Sequence, residues 1–351
     1  MKQALVIMPA WIGDSLLAQP LLARIQERYP GISLDALTHD WTAGLVARMP
    51  EIRCVIASGL THGPLALRER IGLGRRLAAT GYEAAWVLPN SFKSGLIPWF
   101  AGIGLRIGYT GEARYGLINQ RHTLRPDALP LMVARYAQLA EVPGEPVRQP
   151  ILTSTLRVDF GARDALCERF GLSPGEQLIG LCPGAEYGPA KRWPVAHFAR
   201  LARNIVGHAT RVVIFGSARD GELGAHIESA CADLPRGAIV NLCGRTRLDE
   251  ALDLMSLMSA VVANDTGLMH LAAGLRRPLV ALYGSSSPTH TPPLDDSARI
   301  VWNRIECSPC YERTCPLGHF RCMNELQVQQ VDDALSAQLA RSTPLAGHVS
   351  G

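Results

Sequence analysis

The feature that most restricts the fold of this 351-residue chain is an alternation of short apolar runs with amphipathic segments, which occurs twice. In the first half, the predicted strands are ALVIM, SLDALT, AAWVLP and RIGYT, and the first predicted helix covers residues 16–28. In the second half, LIGLCP, RVVIFG, AIVNLC, AVVAND and PLVALYG alternate with helical segments. This alternation is typical of α/β folds with a parallel, doubly wound sheet.

A break in the alternation at EVPGEPVRQP, rich in proline and charge, predicts a linker near residue 150. A single core seldom grows beyond about 200 residues, so the length also favours two domains. We therefore expect an N-terminal Rossmann-like domain at 1–150 and a C-terminal one at 151–330, facing each other across a cleft. Residues 331–351 are predicted to form a C-terminal helix or tail.

Composition and hydropathy favour a soluble globular protein, with 47% hydrophobic and 19% charged residues. No apolar run reaches the roughly 18 residues that a membrane span requires. Pro9 and Gly13 interrupt the first apolar run, which favours a first strand over a signal peptide. The expected location is the cytoplasm.

The formal net charge of +4 is unevenly distributed along the chain. Residues 1–150 carry 16 Lys and Arg against 11 Asp and Glu, whereas the remainder carries 19 against 20. The excess in the first half predicts either an anionic partner or an ordinary solvated basic surface.

Four of the nine cysteines lie close together in CSPCYERTCPLGHFRC, at Cys307, Cys310, Cys315 and Cys322. Disulfides are disfavoured in the cytoplasm, and CxxC is a common half of a zinc site. The spacing of the other two cysteines is less regular. A structural metal and reduced packing cysteines are equally supported alternatives, and disulfides are the third.

Polar clusters follow predicted strands at positions where doubly wound sheets bind ligands. In PAWIGDS, Asp14 is either a helix N-cap or a functional carboxylate. In CPGAEYGPAKRWP, a loop shaped by glycines and prolines presents Lys191, which is suited to a diphosphate or is simply solvated. No GxxxxGK[ST] loop is present, and no GxGxxG occurs in the expected context.

In NDTGLMH, a predicted strand passes directly into a predicted helix. The free amides and partial positive charge of a helix N-terminus favour a phosphate there. Asp265 is either the cap of this helix or part of a site, and His270 is either a packed histidine or a ligand contact.

Taken together, these motifs resemble the ADP-heptose:lipopolysaccharide heptosyltransferases of glycosyltransferase family nine, which have the GT-B fold. The resemblance covers nearly the whole chain, from PAWIGDS through LPNSFKS, RYGLIN, CPGAEYGPAKRWP and FGSARD to NDTGLMHLAA and LVALYGSSSP. The PNSFKS and GAEYGPAKRWP signatures are most similar to the heptosyltransferase II branch. The cysteine-rich segment occurs in some relatives and not in others, so it lies outside the shared chemistry.

The resemblance implies inverting transfer of L-glycero-D-manno-heptose from ADP-heptose to the first heptose of the inner core. It implies Asp14 as the base and Lys191 as a catalytic and donor-binding cation. No cofactor is then required, and no DxD motif is present to hold a divalent metal. The further donor-binding residues it implies are Glu186, Tyr187, Asp220, Leu242, Asp265, Thr266, Gly267 and His270.

The implied acceptor is anionic lipid A-Kdo-heptose, so we expect peripheral contact with the inner face of the inner membrane and no nucleic-acid partner. Lys93 and Arg114 are the principal candidates to pair with its Kdo and phosphate groups, and further candidates are Arg106, Arg121 and Arg135. This would account for the basic first half.

Three alternatives remain open at this point. One is heptosyltransferase I or another core heptosyltransferase, which acceptors with and without the first heptose would separate. A second is a GT-B-like nucleotide-sugar epimerase, which would act on ADP-heptose alone. The third is a nucleotide-binding regulator without catalysis, which the presence of both Asp14 and Lys191 disfavours.

Overall fold

The computed structural model describes residues 1–61, 63–206 and 210–342, with the side chain of residue 342 excluded. The chain divides into two compact units. Unit 1 comprises Met1–Arg157 with Thr289–Thr291, and unit 2 comprises Val158–Pro288 with Pro292–Gly351. Each unit contains one parallel six-stranded sheet, which confirms the predicted α/β class.

The sheet of unit 1 has the order β3-β2-β1-β4-β5-β6. Its strands are β1 (Gln3–Ile7), β2 (Ser33–Thr38), β3 (Ile52–Ala57), β4 (Ala84–Val87), β5 (Leu105–Tyr109) and β6 (Gln120–His122). The helices of this unit are α1 (Ile12–Arg28), α2 (Asp40–Val46), α3 (Leu67–Ala78), α4 (Phe92–Phe100) and α5 (Met132–Gln138). The strand order reverses between β1 and β4, which pair directly.

The sheet of unit 2 has the order β12-β11-β10-β7-β8-β9. Its strands are β7 (Leu178–Cys182), β8 (Arg211–Ile214), β9 (Ile239–Asn241), β10 (Ala260–Asn264), β11 (Leu279–Tyr283) and β12 (Arg299–Trp302). Its helices are α6 (Phe160–Phe170), α7 (Val195–Val206), α8 (Gly221–Ala230), α9 (Leu248–Met255), α10 (Gly267–Gly274), α11 (Arg321–Asn324) and α12 (Val328–Ser342). The order reverses between β7 and β10, which pair directly.

The central strands are buried on both faces, which explains why they are continuous apolar runs rather than alternating ones. Leu5 in β1 and Val262 in β10 are both fully buried. In such sheets, ligands bind beyond the carboxyl ends of the strands where the order reverses. The segments that follow β1 and β4 in unit 1, and β7 and β10 in unit 2, are therefore the expected binding positions.

The boundary between the units falls at Arg157 rather than at residue 150. Residues 150–157 are attached to unit 1: Ser154 Oγ donates to Leu16 O at 3.0 Å, and Arg157 N donates to Arg48 O at 2.8 Å. The buried Arg24 side chain donates to Glu141 and to the carbonyl of Pro150, so the predicted linker is held against α1. These hydrogen bonds provide partners for backbone groups of a segment that has no regular secondary structure.

The C-terminal helix α12 belongs to unit 2 rather than forming a separate segment from residue 331. Val331 and Leu335 lie in the hydrophobic core of that unit. The end of the predicted tail, residues 343–351, lies outside the described residues. Among the described residues, no helix has the length and apolar character needed to cross a bilayer.

Candidate active site

Asp14 lies in the first turn of α1, at the carboxyl end of β1. The N-cap of this helix is Trp11, which makes no side-chain capping bond, so Asp14 is not the N-cap residue. Ser15 is anchored through its Oγ to Pro9 O at 3.2 Å, which fixes the turn that carries Asp14. The aspartate is therefore positioned by the helix without being its cap.

A cavity of about 340 Å³ opens beside Asp14 in unit 1. It lies where the strand order reverses, because its lining comes from the segments after β1 and β4. Burial, followed by the charge of Asp14, raises the pKa of Tyr136 well above its usual value, which places this phenol near the carboxylate. The polar or aromatic side chains of the lining are Trp11, Asp14, Asn90, Ser91, Lys93, Tyr109, Arg135 and Tyr136.

Two of the predicted acceptor-binding cations line this cavity, and a third is exposed on unit 1. Lys93 lines the cavity, and its Nζ donates to Gly63 O at 2.5 Å. Arg135 also lines the cavity, and its Nε donates to Leu129 O. Arg121 is exposed, with its guanidinium 5.8 Å from the ring centroid of Tyr115.

Arg114 has a different role from the predicted one. It is 2% exposed, and its guanidinium donates to the carbonyl oxygens of Tyr109, Pro89 and Ser91. It also donates to Ser94 Oγ and Asn90 Oδ1. Burial lowers its pKa to about 10. Since its donors are used internally, Arg114 organises the segment after β4 and does not offer a charge to an acceptor.

Arg106 is likewise bonded to the protein's own backbone. Its Nε donates to Leu117 O at 2.7 Å, and its Nη1 donates to Ile103 O at 2.5 Å. Its backbone amide is bonded to Asn119 Oδ1. The side chain therefore ties β5 to the segment before β6, which is a structural role rather than the predicted contact with an anion.

In unit 2, the loop between β7 and α7 is tied to the end of β10 by Asn264, a residue that the sequence analysis did not single out. Asn264 is fully buried, and its Nδ2 donates to Pro183 O at 2.8 Å. Its Oδ1 accepts from the backbone amide of Trp193 at 3.1 Å. A polar residue that ends an apolar strand was the available signal. This amide fixes both ends of the loop that carries Lys191.

Lys191 reaches the N-terminus of α10 and pairs with Asp265 there. Its Nζ lies 2.5 Å from Asp265 Oδ2, and the two side chains are 16% and 5% exposed. The N-cap residue of α10 is Thr266, whose side chain makes no capping bond, so of the two alternatives for Asp265 the helix cap is excluded. Within the described part of the chain, the first turn therefore keeps backbone amides without a partner beside an ammonium, an arrangement that suits a phosphate.

Several buried polar atoms at this end of the sheet have no hydrogen-bond partner among the described residues. They include His270 Nδ1, Ser285 Oγ and Ser286 Oγ. Burial lowers the pKa of His270 to about 4 although Asp265 acts in the opposite direction, so the imidazole is neutral at physiological pH. Buried polar groups are normally paired, so these atoms indicate a site that a polar ligand or water completes.

Glu186 and Asp220 already have partners within unit 2. Glu186 forms an exposed ion pair with Arg219. Asp220 Oδ2 accepts from Ser217 N at 2.9 Å and from Ser217 Oγ at 2.8 Å. A Cβ at Gly184 would lie 2.4 Å from Asp220 Oδ1, so this carboxylate packs directly against the β7–α7 loop. Glu186 belongs to this loop and Asp220 packs against it.

Leu242 does not present a surface to a ligand in this structure. The residue is fully buried, and its amide donates to Ile214 O at 2.9 Å. It supports the neighbouring strand ends from within the core rather than contacting a nucleotide as predicted.

Comparisons with known proteins identify the family of this chain. The family model of glycosyltransferase family 9 (heptosyltransferase) matches residues 70–321. This chain belongs to glycosyltransferase family 9. Lipopolysaccharide heptosyltransferase 2 of Escherichia coli K12 is 47% identical over 345 residues, which cover 95% of this chain and 98% of that protein. The corresponding protein of Salmonella typhimurium LT2 is 47% identical over 302 residues, with coverage of 85% and 87%.

The fold of this family 9 glycosyltransferase is that of a solved relative. The structure of E. coli ADP-heptose lps heptosyltransferase II matches with a TM-score of 0.86 at 42% identity. The match covers 97% of this chain and 99% of the chain in that structure. The predicted GT-B class is therefore confirmed.

The cysteine-rich segment of the glycosyltransferase packs against the β7–α7 loop. Tyr187 Oη donates to Tyr311 O at 2.8 Å, and the guanidinium of Arg313 lies 5.0 Å from the centroid of the Tyr187 ring. Ala190 N donates to Arg313 O at 3.0 Å. A Cβ at Gly188 would lie 2.2 Å from Arg313 O, so only glycine permits this approach. These contacts could not be predicted from the sequence, because the partners are more than 120 residues apart.

The four clustered cysteines form no disulfide among the described residues and lie near one another. Burial, followed by the charges of Cys310, Cys307 and Cys315, raises the pKa of Cys322 to about 11. For Cys315, burial acts to raise the pKa, but hydrogen bonds from backbone amides, that of Phe320 first, outweigh it and lower the pKa. Within the described ranges, no three metal-ligating side chains lie in a geometry that could hold an ion. A structural metal and reduced packing cysteines therefore both stay predictions.

Proposed function

We propose that this glycosyltransferase transfers L-glycero-D-manno-heptose from ADP-heptose to the first heptose of the lipopolysaccharide inner core. The observation that carries the proposal is the site around Lys191. There, an ammonium, a helix N-terminus and buried polar atoms that lack a partner among the described residues lie at one edge of unit 2. These groups are suited to a nucleoside diphosphate. The two relatives that are 47% identical both bear the name heptosyltransferase 2, which favours this acceptor over the alternatives.

On the donor side, the diphosphate would bind Lys191 and the amides of Thr266 and Gly267. Lys191 would then exchange or share its contact with Asp265. As the bond between the anomeric carbon and the phosphate oxygen breaks, the electron pair leaves with ADP, and these fixed donors stabilise the growing charge. Because they are already positioned, the departure of ADP needs no divalent cation in this scheme.

On the acceptor side, the heptose hydroxyl would bind in the cavity beside Asp14. The hydroxyl oxygen forms the new bond to the anomeric carbon, and its proton passes to the Asp14 carboxylate. A single displacement of this kind inverts the configuration, so a β-linked donor gives an α-linked product. Lys93, Arg135 and Arg121 would pair with the anionic groups of the acceptor.

A transfer assay with ADP-heptose and defined inner-core acceptors tests this function. We expect transfer to acceptors that carry the first heptose and none to acceptors that end in Kdo. The reverse preference would identify heptosyltransferase I activity. Conversion of ADP-heptose without any acceptor, followed by NMR, would instead reveal an epimerase.

We further propose that unit 1 docks on an anionic membrane through the α3–α4 surface. This surface consists of the exposed apolar side chains of Leu65, Leu67, Phe92 and Trp99 with the exposed Arg68, Arg75 and Arg76. The two helices are connected through Arg70, which donates to the carbonyl oxygens of Leu65 and Lys93. Lys93 also lines the cavity of Asp14, so docking would bring a lipid-linked acceptor to that opening. The enzyme would then act at the cytoplasmic face.

Vesicle flotation tests the docking surface. The wild type should float with phosphatidylglycerol vesicles more than with phosphatidylcholine vesicles, because basic residues near apolar anchors favour anionic headgroups. Arg75→Glu/Arg76→Glu and Leu67→Gln/Phe92→Ser should each reduce flotation. Phe160→Ser removes an exposed aromatic of unit 2 and serves as the control. Equal flotation of all variants would contradict the proposal.

A structural zinc ion at Cys307, Cys310, Cys315 and Cys322 remains a hypothesis. In its favour are the proximity of the four thiols and the backbone amides that donate to Cys315. Because no three ligands are in a binding geometry among the described residues, zinc would have to draw the thiols together. It would stabilise the segment without taking part in transfer.

A further inference from the structure

We propose that Arg313, carried by the cysteine-rich segment, is a second cation of the donor site and contacts the diphosphate directly. This inference rests on the proposed use of a nucleoside-diphosphate donor. It gives the cysteine-rich segment a part in donor recognition, which its cysteines alone would not suggest.

The first argument is position. Lys191 Nζ lies 5.2 Å from the centroid of the Tyr187 ring, and the Arg313 guanidinium lies 5.0 Å from the same centroid. The two charges are therefore at most about 10 Å apart, a span that a diphosphate and two long side chains can bridge. Both cations thus lie beside one ring, and Tyr187 is the platform that holds them in the same region.

The second argument is availability. Within the described residues, the guanidinium of Arg313 forms no ion pair or hydrogen bond, and the residue is exposed. Lys191, in contrast, is paired with Asp265 before any ligand binds. Arginine can bind phosphate oxygens with two parallel hydrogen bonds, which a lysine cannot do. Among the described residues, the positive charge of Arg313 is therefore not balanced by a carboxylate, whereas that of Lys191 is balanced by Asp265.

The third argument is rigidity. The backbone around Arg313 is fixed from two sides: its own carbonyl accepts from Ala190 N, and Tyr311 N donates to Ser285 O at 2.7 Å. Ser308 Oγ donates to Gly284 O at 2.6 Å, which attaches the start of the segment to the end of β11. A side chain on such a fixed backbone is positioned with less loss of entropy than one on a loose loop.

Arg313→Gln tests the proposal, because it removes the charge and leaves the backbone carbonyl that Ala190 needs. We expect the Kd of ADP, measured by titration calorimetry, to rise about tenfold or more, as for the loss of a charge-assisted hydrogen bond. The Kd of adenosine should not change, because adenosine lacks the diphosphate. Arg313→Lys should recover part of the ADP affinity, and kcat/KM for ADP-heptose should follow the same order.

Arg304→Gln is the matched control. Arg304 is an exposed arginine of the same region that stacks on a different ring, with its guanidinium 4.8 Å from the centroid of Trp302. It should retain the wild-type Kd of ADP. Unchanged ADP affinity in Arg313→Gln, or an equal loss for adenosine and ADP, would overturn the proposal and leave Arg313 a structural contact. Failure of the wild type to bind ADP would instead reject the proposed function.

Discussion

Lys191 Nζ lies 2.5 Å from Asp265 Oδ2, so the cation assigned to the diphosphate has a buried counter-ion before any donor is present. The pair keeps the ammonium at the N-terminus of α10. It also means that removal of the lysine has two separable consequences, one for binding and one for stability.

Lys191→Ala should weaken ADP binding and lower turnover, since it removes the charge that we propose contacts the diphosphate. It should also lower the melting temperature, because Asp265 is left as an uncompensated buried charge. The double variant Lys191→Ala/Asp265→Asn should regain stability but not ADP affinity. Calorimetry and thermal melting separate the two effects. Wild-type ADP affinity in Lys191→Ala would show that this loop does not bind the donor.

Asp14→Asn should reduce turnover about 10²–10⁴-fold, the usual effect of losing a positioned base. The Kd of ADP-heptose should not change, because Asp14 lies in unit 1 and the residues proposed to bind the donor lie in unit 2. Asp40→Asn is the control, since Asp40 also lies in the first turn of a helix of unit 1. Near-normal turnover of Asp14→Asn in steady-state assays would reduce this carboxylate to a structural role.

Stability should depend on pH through His270. Burial holds its pKa at about 4 in the folded protein, against 6.5 for an ordinary histidine. Between these values the unfolded chain binds more protons, so the free energy of unfolding should fall as the pH decreases from about 6.5 to 4. His122 in unit 1, whose pKa burial also lowers to about 4, adds to the same trend. The free energy of unfolding, measured by urea denaturation at about pH 7.5 and 5, should fall less between these two values for His270→Asn than for the wild type. An equal loss in both proteins would contradict the assignment.

Arg114→Met should destabilise the protein by about 2–4 kcal/mol, because several carbonyl groups after β4 lose their donor in a buried environment. Arg121→Met, which changes an exposed arginine, should leave stability unchanged. Chemical denaturation measures both variants. If Arg114→Met were as stable as the wild type and only raised the KM of the acceptor, Arg114 would be an acceptor contact after all.

Elemental analysis of protein purified without added metal or an affinity tag tests the zinc hypothesis. About one zinc per chain is expected for a four-thiolate site. Chelation should then increase proteolysis of the cysteine-rich segment without changing the effect of Asp14→Asn. Metal-free protein with four titratable thiols in that segment and an unchanged melting temperature would refute it.

The α/β class and the candidate positions at Asp14, Lys191 and Thr266 could be predicted because each depends on local sequence. Apolar runs specify buried strands, and a polar turn after a strand specifies a strand end. Arg114 could not be interpreted in this way, because the side chain is buried and its five hydrogen-bond acceptors lie on three separate segments. Nor could the pairing of Lys191 with Asp265, which are 74 residues apart and meet only when β7 and β10 are neighbours. The irregular backbone around Arg313 has no periodic pattern from which its contact with Tyr187 could be predicted.

The close approach of Gly188 to the carbonyl of Arg313 has an evolutionary consequence. The steric requirement for glycine at this position comes from the cysteine-rich segment, not from the chemistry of transfer. A family member without the segment would be free to vary this residue. A family member that acquired the segment but kept a larger side chain at this position could not accommodate the segment. We therefore expect the glycine and the segment to be inherited together, and an alignment of family members with and without the cysteines would show whether they are.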